Sequence, residues 1–317
     1  MTLQIDSLIA SNGPVRLLVE AQLAPVQGRR FQPTGFPDLG PAVYEAGDRS
    51  FVIVESAQSM ANRMEAVCWD SVGNDLVPSL KGLSYVRVEQ DGEYLTSSLT
   101  ESHRLSSPYI RKSKDKTFFE QLQSETADFA TGPLDRPKLA GTLFGYDVGC
   151  LLHGVFLADK DLAGGRLRLE RALSSFIEAE GASVAASGGV KKDEVNPRGD
   201  AKQGFGHVPF QRDEYVAECI TAFFNLDLAQ IRGYGLDEHA TRLLVALGLF
   251  KVRAVLERGL RLRTACDLDV LDIQVTRPTE FDLPSLTELE GALPGLIEAC
   301  SAQLRGEGGV TTVNFQD

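Results

Sequence analysis

The chain has 317 residues, 43% of them hydrophobic and 24% charged, which suits two ordinary domains or one domain with large insertions and excludes both a lone small module and a disordered chain. Residues 1–13 lack the basic start and apolar core of a secretion signal, and no stretch reaches the ~18 apolar residues of a membrane span, so a soluble cytoplasmic protein with no membrane partner is expected. The formal net charge of −12 argues against a nucleic-acid partner until its distribution is read: residues 267–317 hold ten acidic and two basic residues, −8 of the total, and the rest of the chain is nearly balanced.

In chain order, residues 15–23 (VRLLVEAQL) alternate apolar and polar side chains up to Pro25, the pattern of a half-buried strand. Residues 27–40 (QGRRFQPTGFPDLG) hold three glycines and two prolines and cannot continue a sheet, so they form a shaped loop. After the short apolar run 50–55 (SFVIVE), residues 56–69 place Ala57, Met60, Ala61, Met64, Val67 and Cys68 at helical spacing, with Ser56 as N-cap. Residues 71–147 read as an insertion of mixed pattern, with a hairpin at 90–92 and a helix over 116–129. Residues 148–157 (VGCLLHGVFL) suit a strand, 180–212 a glycine- and lysine-rich loop or extended hairpin, and 215–228 either a strand or a helix. An amphipathic helix is expected over 238–258, stopped by Gly259, and a strand over 260–265. Strand, helix, strand, strand, helix, strand is the order of a split βαβ unit: an α+β fold with an RRM-like (ferredoxin-like) sheet and long insertions in a single domain.

Positive charge is bunched at Arg29 and Arg30, at Arg104, Arg111, Lys112, Lys114 and Lys116, at Lys191 and Lys192, and again at Lys251, Arg253, Arg258, Arg261 and Arg263. A groove of such bunches can follow a phosphate backbone while the remaining surface stays acidic. A helix starting at Ser56 offers unpaired N–H groups to a phosphate, with Gln58, Ser59 and Asn62 as neutral donors beside Arg63. The plainer alternative is that Gln58 and Asn62 cap or solvate the helix and Arg63 pairs with a carboxylate. Arg29, Arg30 and Phe31 suit phosphate contact with base stacking, or a surface turn that the ring anchors. The run from Arg104 to Lys116, with Pro108 and Tyr109 interleaved, reads as a nucleic-acid loop or as a solvated charged face. Five scattered cysteines without a CxxC pair and four scattered histidines provide no metal-ligand spacing, so neither metal nor cofactor is expected. Asp267, Asp269 and Asp272 match no metal-loop rule, and Asp272 needs a turn to join the other two. An acid–base reaction would draw on His103, His153 or Asp193.

The strings at 27–40, 55–70 (ESAQSMANRMEAVCWD), 186–197 (ASGGVKKDEVNP), 221–235 (TAFFNLDLAQIRGYG) and 259–269 (GLRLRTACDLD) resemble the backbone subunit of type I-G, formerly I-U, CRISPR interference complexes. SAQSMANR is also similar to the Ser-x-Gln-Ser-x-x-x-Arg helix start of other RAMP-superfamily backbone subunits. The resemblance spans nearly the whole chain and implies an RRM-derived palm with a finger-like insertion at 71–147 and a thumb-like loop at 180–212. In such a complex copies polymerise along one CRISPR RNA, the guide pairs with target DNA, and a separate helicase-nuclease cuts. It therefore implies a non-catalytic RNA-binding subunit whose partners are CRISPR RNA, target DNA through the guide, further copies of itself and the other subunits. With it, the residues read above as suited to phosphate and base contact become the expected RNA-contacting set: Arg29, Arg30, Phe31, Gln58, Ser59, Asn62, Arg63, Arg104, Arg111 and Lys112. In the thumb, Gly188 and Gly189 would allow close backbone approach and Lys191 and Lys192 would supply charge; a disordered linker with no partner fits the composition of 186–197 equally well. The rival expectation is a RAMP-type endoribonuclease that processes CRISPR RNA; related type III subunits cut target RNA with a loop aspartate, the role Asp193 would take. The acidic segment 267–317 is expected to lie away from the guide, because its charge repels phosphates within a Debye length of ~8 Å.

Overall fold

The structure, a computed structural model, describes residues 3–36 and 38–316; Met1 and Thr2 at the N-terminus, Pro37 of the 27–40 loop and Asp317 of the acidic segment lie outside the described residues. Arg16–Pro25 (β1) buries Leu17, Val19, Ala21 and Leu23 at alternate positions, as its pattern requires. A hairpin of Val43–Ala46 (β2) and Arg49–Glu55 (β3) leads into helix Ala57–Ala66 (α1), where the Ser59 N–H donates to the Ser56 hydroxyl at 3.2 Å, the expected N-cap. After a long insertion the chain returns as Leu173–Glu180 (β4), projects the hairpin Ser183–Lys191 (β5) and Val208–Val216 (β6), and re-enters as Cys219–Asp227 (β7). Helix Glu238–Glu257 (α2), strands Leu260–Arg263 (β8) and Cys266–Arg277 (β9), and helix Leu286–Ala299 (α3) follow.

The main sheet has the order β8-β9-β1-β7-β4-β3-β2 with neighbouring strands antiparallel. Its inner elements run β1-α1-β4-β7-α2-β9, with the fourth strand beside the first and the third beside the second. This is the split βαβ topology, so the fold is the expected α+β palm of RRM-like type. Val19, Ala21 and Leu23 sit opposite Phe224, Ala222 and Ile220, and this layer buries Met60 and Met64 of α1 and Leu243, Leu247 and Phe250 of α2 beneath it. Each fully buried Leu, Phe or Met contributes roughly 1.5–3 kcal/mol by leaving water.

Three expectations need correction. Residues 148–157 are not a strand: Gly149–His153 is a short helix ended by Gly154 at φ 77°, and only Val155–Leu157 is extended. A Cβ at Gly154 would lie 2.9 Å from the Leu169 carbonyl oxygen, so the turn admits only glycine. The second palm strand is instead β4, whose serines at 174 and 175 blur an alternation that the structure nevertheless obeys. The acidic segment is no tail, because it begins with the twelve-residue β9 between β1 and β8. A bulge at Leu271, between the pairs Leu23–Val270 and Gln22–Asp272, turns Asp272 to the open face that Asp267 and Asp269 occupy.

The region 71–147 contains the expected hairpin, Tyr85–Gln90 with Glu93–Ser97, across Asp91 and Gly92 at positive φ. The expected helix over 116–129 is Thr117–Thr126 followed by one 3-10 turn. That layer is completed from outside, since Val310–Asn314 pairs in parallel with Tyr85–Gln90.

Candidate nucleic-acid interface

Between the insertion and the palm runs a groove of about 1230 Å³, bordered by residues 102–112, 153–158 and 168–171. Ser107 caps a short helix, Pro108–Arg111, by accepting the Tyr109 N–H, and this turn sets Arg111 and Lys112 on the groove wall. Arg111 is bound to Asp159 at 2.7 and 3.0 Å, whereas Lys112 stays exposed. Across the groove the short strand Leu167–Leu169 turns Arg168 outward, and Arg171 donates to the Ala57 carbonyl at 3.0 Å and to Gln58 Oε1 at 2.9 Å. Gln58 in turn donates to Asn62 Oδ1 at 3.1 Å, so Arg171, Gln58 and Asn62 form one hydrogen-bonded row along the exposed side of α1. Among the described residues no carboxylate pairs with Lys112, Arg168 or Arg171. Burial first, and then the neighbouring Arg104 guanidinium, push the Arg171 pKa down, so an incoming anion stabilises its charged form.

Arg104, in contrast, is spent inside the protein. Held at φ 49°, it makes a two-pronged contact with Glu65 of α1 at 2.7 and 2.8 Å, and both side chains are buried. Arg63 is likewise engaged: it meets Glu55 at 3.1 Å and the Leu262 carbonyl at 2.5 Å, and Arg263 closes on the same fully buried Glu55. The carboxylate-pairing alternative therefore describes Arg63, and neither guanidinium is free for a phosphate in this conformation. Ser59 spends its N–H on the cap.

A second basic patch lies beyond Arg63. Arg29 and Arg30 of the loop after β1 and Arg261 and Arg263 of β8 line a recess of about 470 Å³. Arg30 reaches Glu214 of β6 at 3.6 Å, and Asp267 also borders this recess, so the first residue of the acidic segment stands beside the patch rather than away from it. Phe31 is fully buried and its backbone bridges Tyr215 at the base of the hairpin. The ring anchors the loop, and base stacking is not open to it.

In the thumb-like hairpin Lys191 and Lys192 are exposed. Gly188 and Gly189 serve the partner strand: a Cβ at Gly188 would meet the Phe210 carbonyl at 2.7 Å, and one at Gly189 would meet the Phe210 ring at 3.2 Å. The close approach these glycines allow is thus already made within the hairpin. Asp193 organises the tip by accepting the N–H groups of Val195, Asn196 and Gly206 at 2.8–2.9 Å, and these bonds hold its carboxyl below the usual range. His103 lies exposed at the groove, and among the described residues Asp193 makes its hydrogen bonds within the hairpin tip instead. Among the described residues no group of three His, Cys, Asp or Glu side chains is placed to hold a metal, and no helix is long and apolar enough to cross a membrane. Arg168 and Arg171 escape a search for runs of basic residues, although 166–171 (RLRLER) holds three arginines; its alternating leucines are the signal that turns those charges outward.

Comparison with known proteins gives one family match. The family described as CRISPR-associated protein GSU0053 (Cas_GSU0053) matches residues 17–184, more than half of the chain. No curated protein matches. Among solved structures, a chain titled "CRISPR RNA-guided surveillance complex, pre-nicking" aligns at 12% identity over 95% of this chain and 96% of its own, with a TM-score of 0.45. Csc2 of Thermofilum pendens aligns at 9% identity over 96% of this chain and 81% of its own, with a TM-score of 0.32. At such scores neither likeness bears on the argument, and the fold stands on its strand order.

Proposed function

Because the chain belongs to the CRISPR-associated protein GSU0053 family, we propose that it holds a CRISPR RNA by its sugar–phosphate backbone along the row of cations that starts at Lys112, Arg168 and Arg171. The strand then follows Gln58 and Asn62 along α1 toward Arg29, Arg30 and Arg261, and meets Lys191 and Lys192 of the projecting hairpin. In this reading copies of the chain line up on one guide in a cytoplasmic type I-G interference complex, the guide alone reads target DNA by pairing, and this subunit cuts nothing. The observation that carries the proposal is the groove itself: three cations without carboxylate partners among the described residues, one of them hydrogen-bonded to the start of α1. Phosphate contacts position a strand without reading its sequence, which is what a repeated backbone subunit requires.

The test is a titration of labelled CRISPR RNA at several salt concentrations. Removing one cation from a phosphate flattens the log–log salt slope by about 0.7 for a single strand, so Arg168→Ala with Arg171→Ala is expected to weaken binding and flatten the slope by roughly twice that amount. Unchanged affinity and slope would remove the groove from the account. Incubation with repeat RNA, with and without magnesium, separates binding from processing: cleavage abolished by His103→Ala or Asp193→Ala would favour the endoribonuclease reading.

A further inference from the structure

His153 ends the short helix at the inner border of the groove and is only 2% exposed. Its Nε2 lies 3.0 Å from Nζ of Lys251, a side chain from α2 that is itself 1% exposed. An ammonium has donors and no acceptor, so Nε2 accepts and the ring proton of the neutral imidazole sits on Nδ1. Burial first, and then Lys251, Arg104 and Arg171, hold the His153 pKa well below its ordinary value, which keeps the ring neutral. Nδ1 is buried and has no hydrogen-bond partner among the described residues. Leaving such a donor unsatisfied is costly, and buried polar groups in folded proteins are nearly always partnered. Arg168 and Arg171 line the same groove, where Glu170 is the carboxylate, and Arg104, paired with Glu65, adds to the field at the ring.

We infer that His153 is a ligand-contacting residue at the groove floor, its Nδ1–H donating to a phosphate oxygen of the RNA strand held there, with Lys251 acting as the positioning residue that fixes the tautomer. The inference rests on the groove being the RNA site. His153 lines this groove together with Arg168 and Arg171, so its buried donor lies beside the cations that would hold the phosphate. A neutral donor is suited to this floor, where another full charge would lie against Arg104 and Arg171.

Two substitutions separate the ring's two ends. His153→Gln retains an acceptor toward Lys251 and places nothing at Nδ1, whereas His153→Asn restores a donor at the Nδ1 position and leaves Lys251 without its partner. His153→Gln is expected to fold normally by circular dichroism and to bind labelled CRISPR RNA about tenfold more weakly, as befits the removal of one hydrogen bond to a charged group. His153→Asn is expected to melt earlier yet to bind within about threefold of the parent, the smaller loss of a displaced bond. In ¹⁵N-histidine-labelled protein the Nδ1–H proton signal of His153 is expected to shift and gain protection from exchange when the RNA is added. A folded His153→Gln variant with parental affinity, or an Nδ1–H signal unmoved by RNA, would overturn the inference. If Arg168→Ala with Arg171→Ala still weakens binding in that case, only the role of His153 fails. If that double variant is also unaffected, the groove reading fails with it.

Discussion

Arg104→Ala is expected to damage the fold rather than the RNA site alone. Its guanidinium meets both oxygens of Glu65 at 2.7 and 2.8 Å, with the two side chains 9% and 7% exposed. Removing one member of a buried pair leaves an uncompensated charge, a loss of about 3–5 kcal/mol. At about 2–4 °C per kcal/mol for a chain of this order of size, the midpoint of thermal unfolding falls by roughly 10 °C. The pH dependence has a definite sign. Burial raises the Glu65 pKa, and Arg104 is the largest influence opposing that rise, so in the variant the folded-state pKa climbs further above its unfolded value. A carboxyl raised in this way binds its proton more tightly when folded, so stability is lost as pH rises toward the folded pKa and recovered below the unfolded one. The variant's deficit is therefore largest at neutral pH and shrinks as the solution is acidified. Differential scanning calorimetry of parent and variant across that range is the assay. An unchanged melting temperature combined with weakened RNA affinity would show that Arg104 serves the ligand, and would refute the structural assignment.

Arg63→Ala takes one of two guanidinium groups from the buried Glu55 and is expected to cost about 1.5–3 kcal/mol, the range for a hydrogen bond to a charged group, in chemical denaturation; RNA affinity should fall less than in Arg29→Ala with Arg261→Ala, and the reverse order would return Arg63 to the phosphate path. Gly154→Ala places a Cβ against the Leu169 carbonyl in a residue of positive φ and is expected to destabilise by at least ~1–2 kcal/mol; a neutral effect on the melting curve would contradict the turn geometry. Asp193→Ala removes the acceptor of three tip amides, so hydrogen exchange at Val195, Asn196 and Gly206 should accelerate while the palm is unaffected. Because those bonds lower the carboxyl's folded pKa, the parent tip should keep its order above the unfolded pKa and lose it as pH falls through the folded one; protection unchanged in acid would argue against Asp193 as the organiser.

Local periodicity made the first strand, both palm helices and the tight hairpin legible, because each buries one regularly spaced face. The helix start was legible down to its cap, since Ser56 precedes an apolar repeat by one residue. Strand β4 was not, because two serines and an alanine stand among its alternating positions and tertiary pairing decides its state. Strand β9 was hidden by its aspartates, which lie on the open face through a bulge that spacing alone does not reveal. For the site, sequence placed positive charge correctly in kind and less well in use. Phe31, Arg63 and Arg104 have the composition of ligand-binding residues but are consumed by a core contact, a clamp on Glu55 and a pair with Glu65. Whether an arginine is free depends on which carboxylate the fold brings to it from distant sequence, as Arg104 and Glu65 illustrate.

The central claim concerns which surface touches the guide. The most direct measurement is ultraviolet cross-linking of the protein purified from cells that also transcribe a CRISPR array, with the cross-linked peptides identified by mass spectrometry. The account predicts bound RNA and cross-links within 102–112, 153–171 and 56–63, with weaker ones in 26–31 and 187–212. Protein free of RNA, or cross-links concentrated on the open sheet face around Phe176, Phe223 and Asp269, would contradict it.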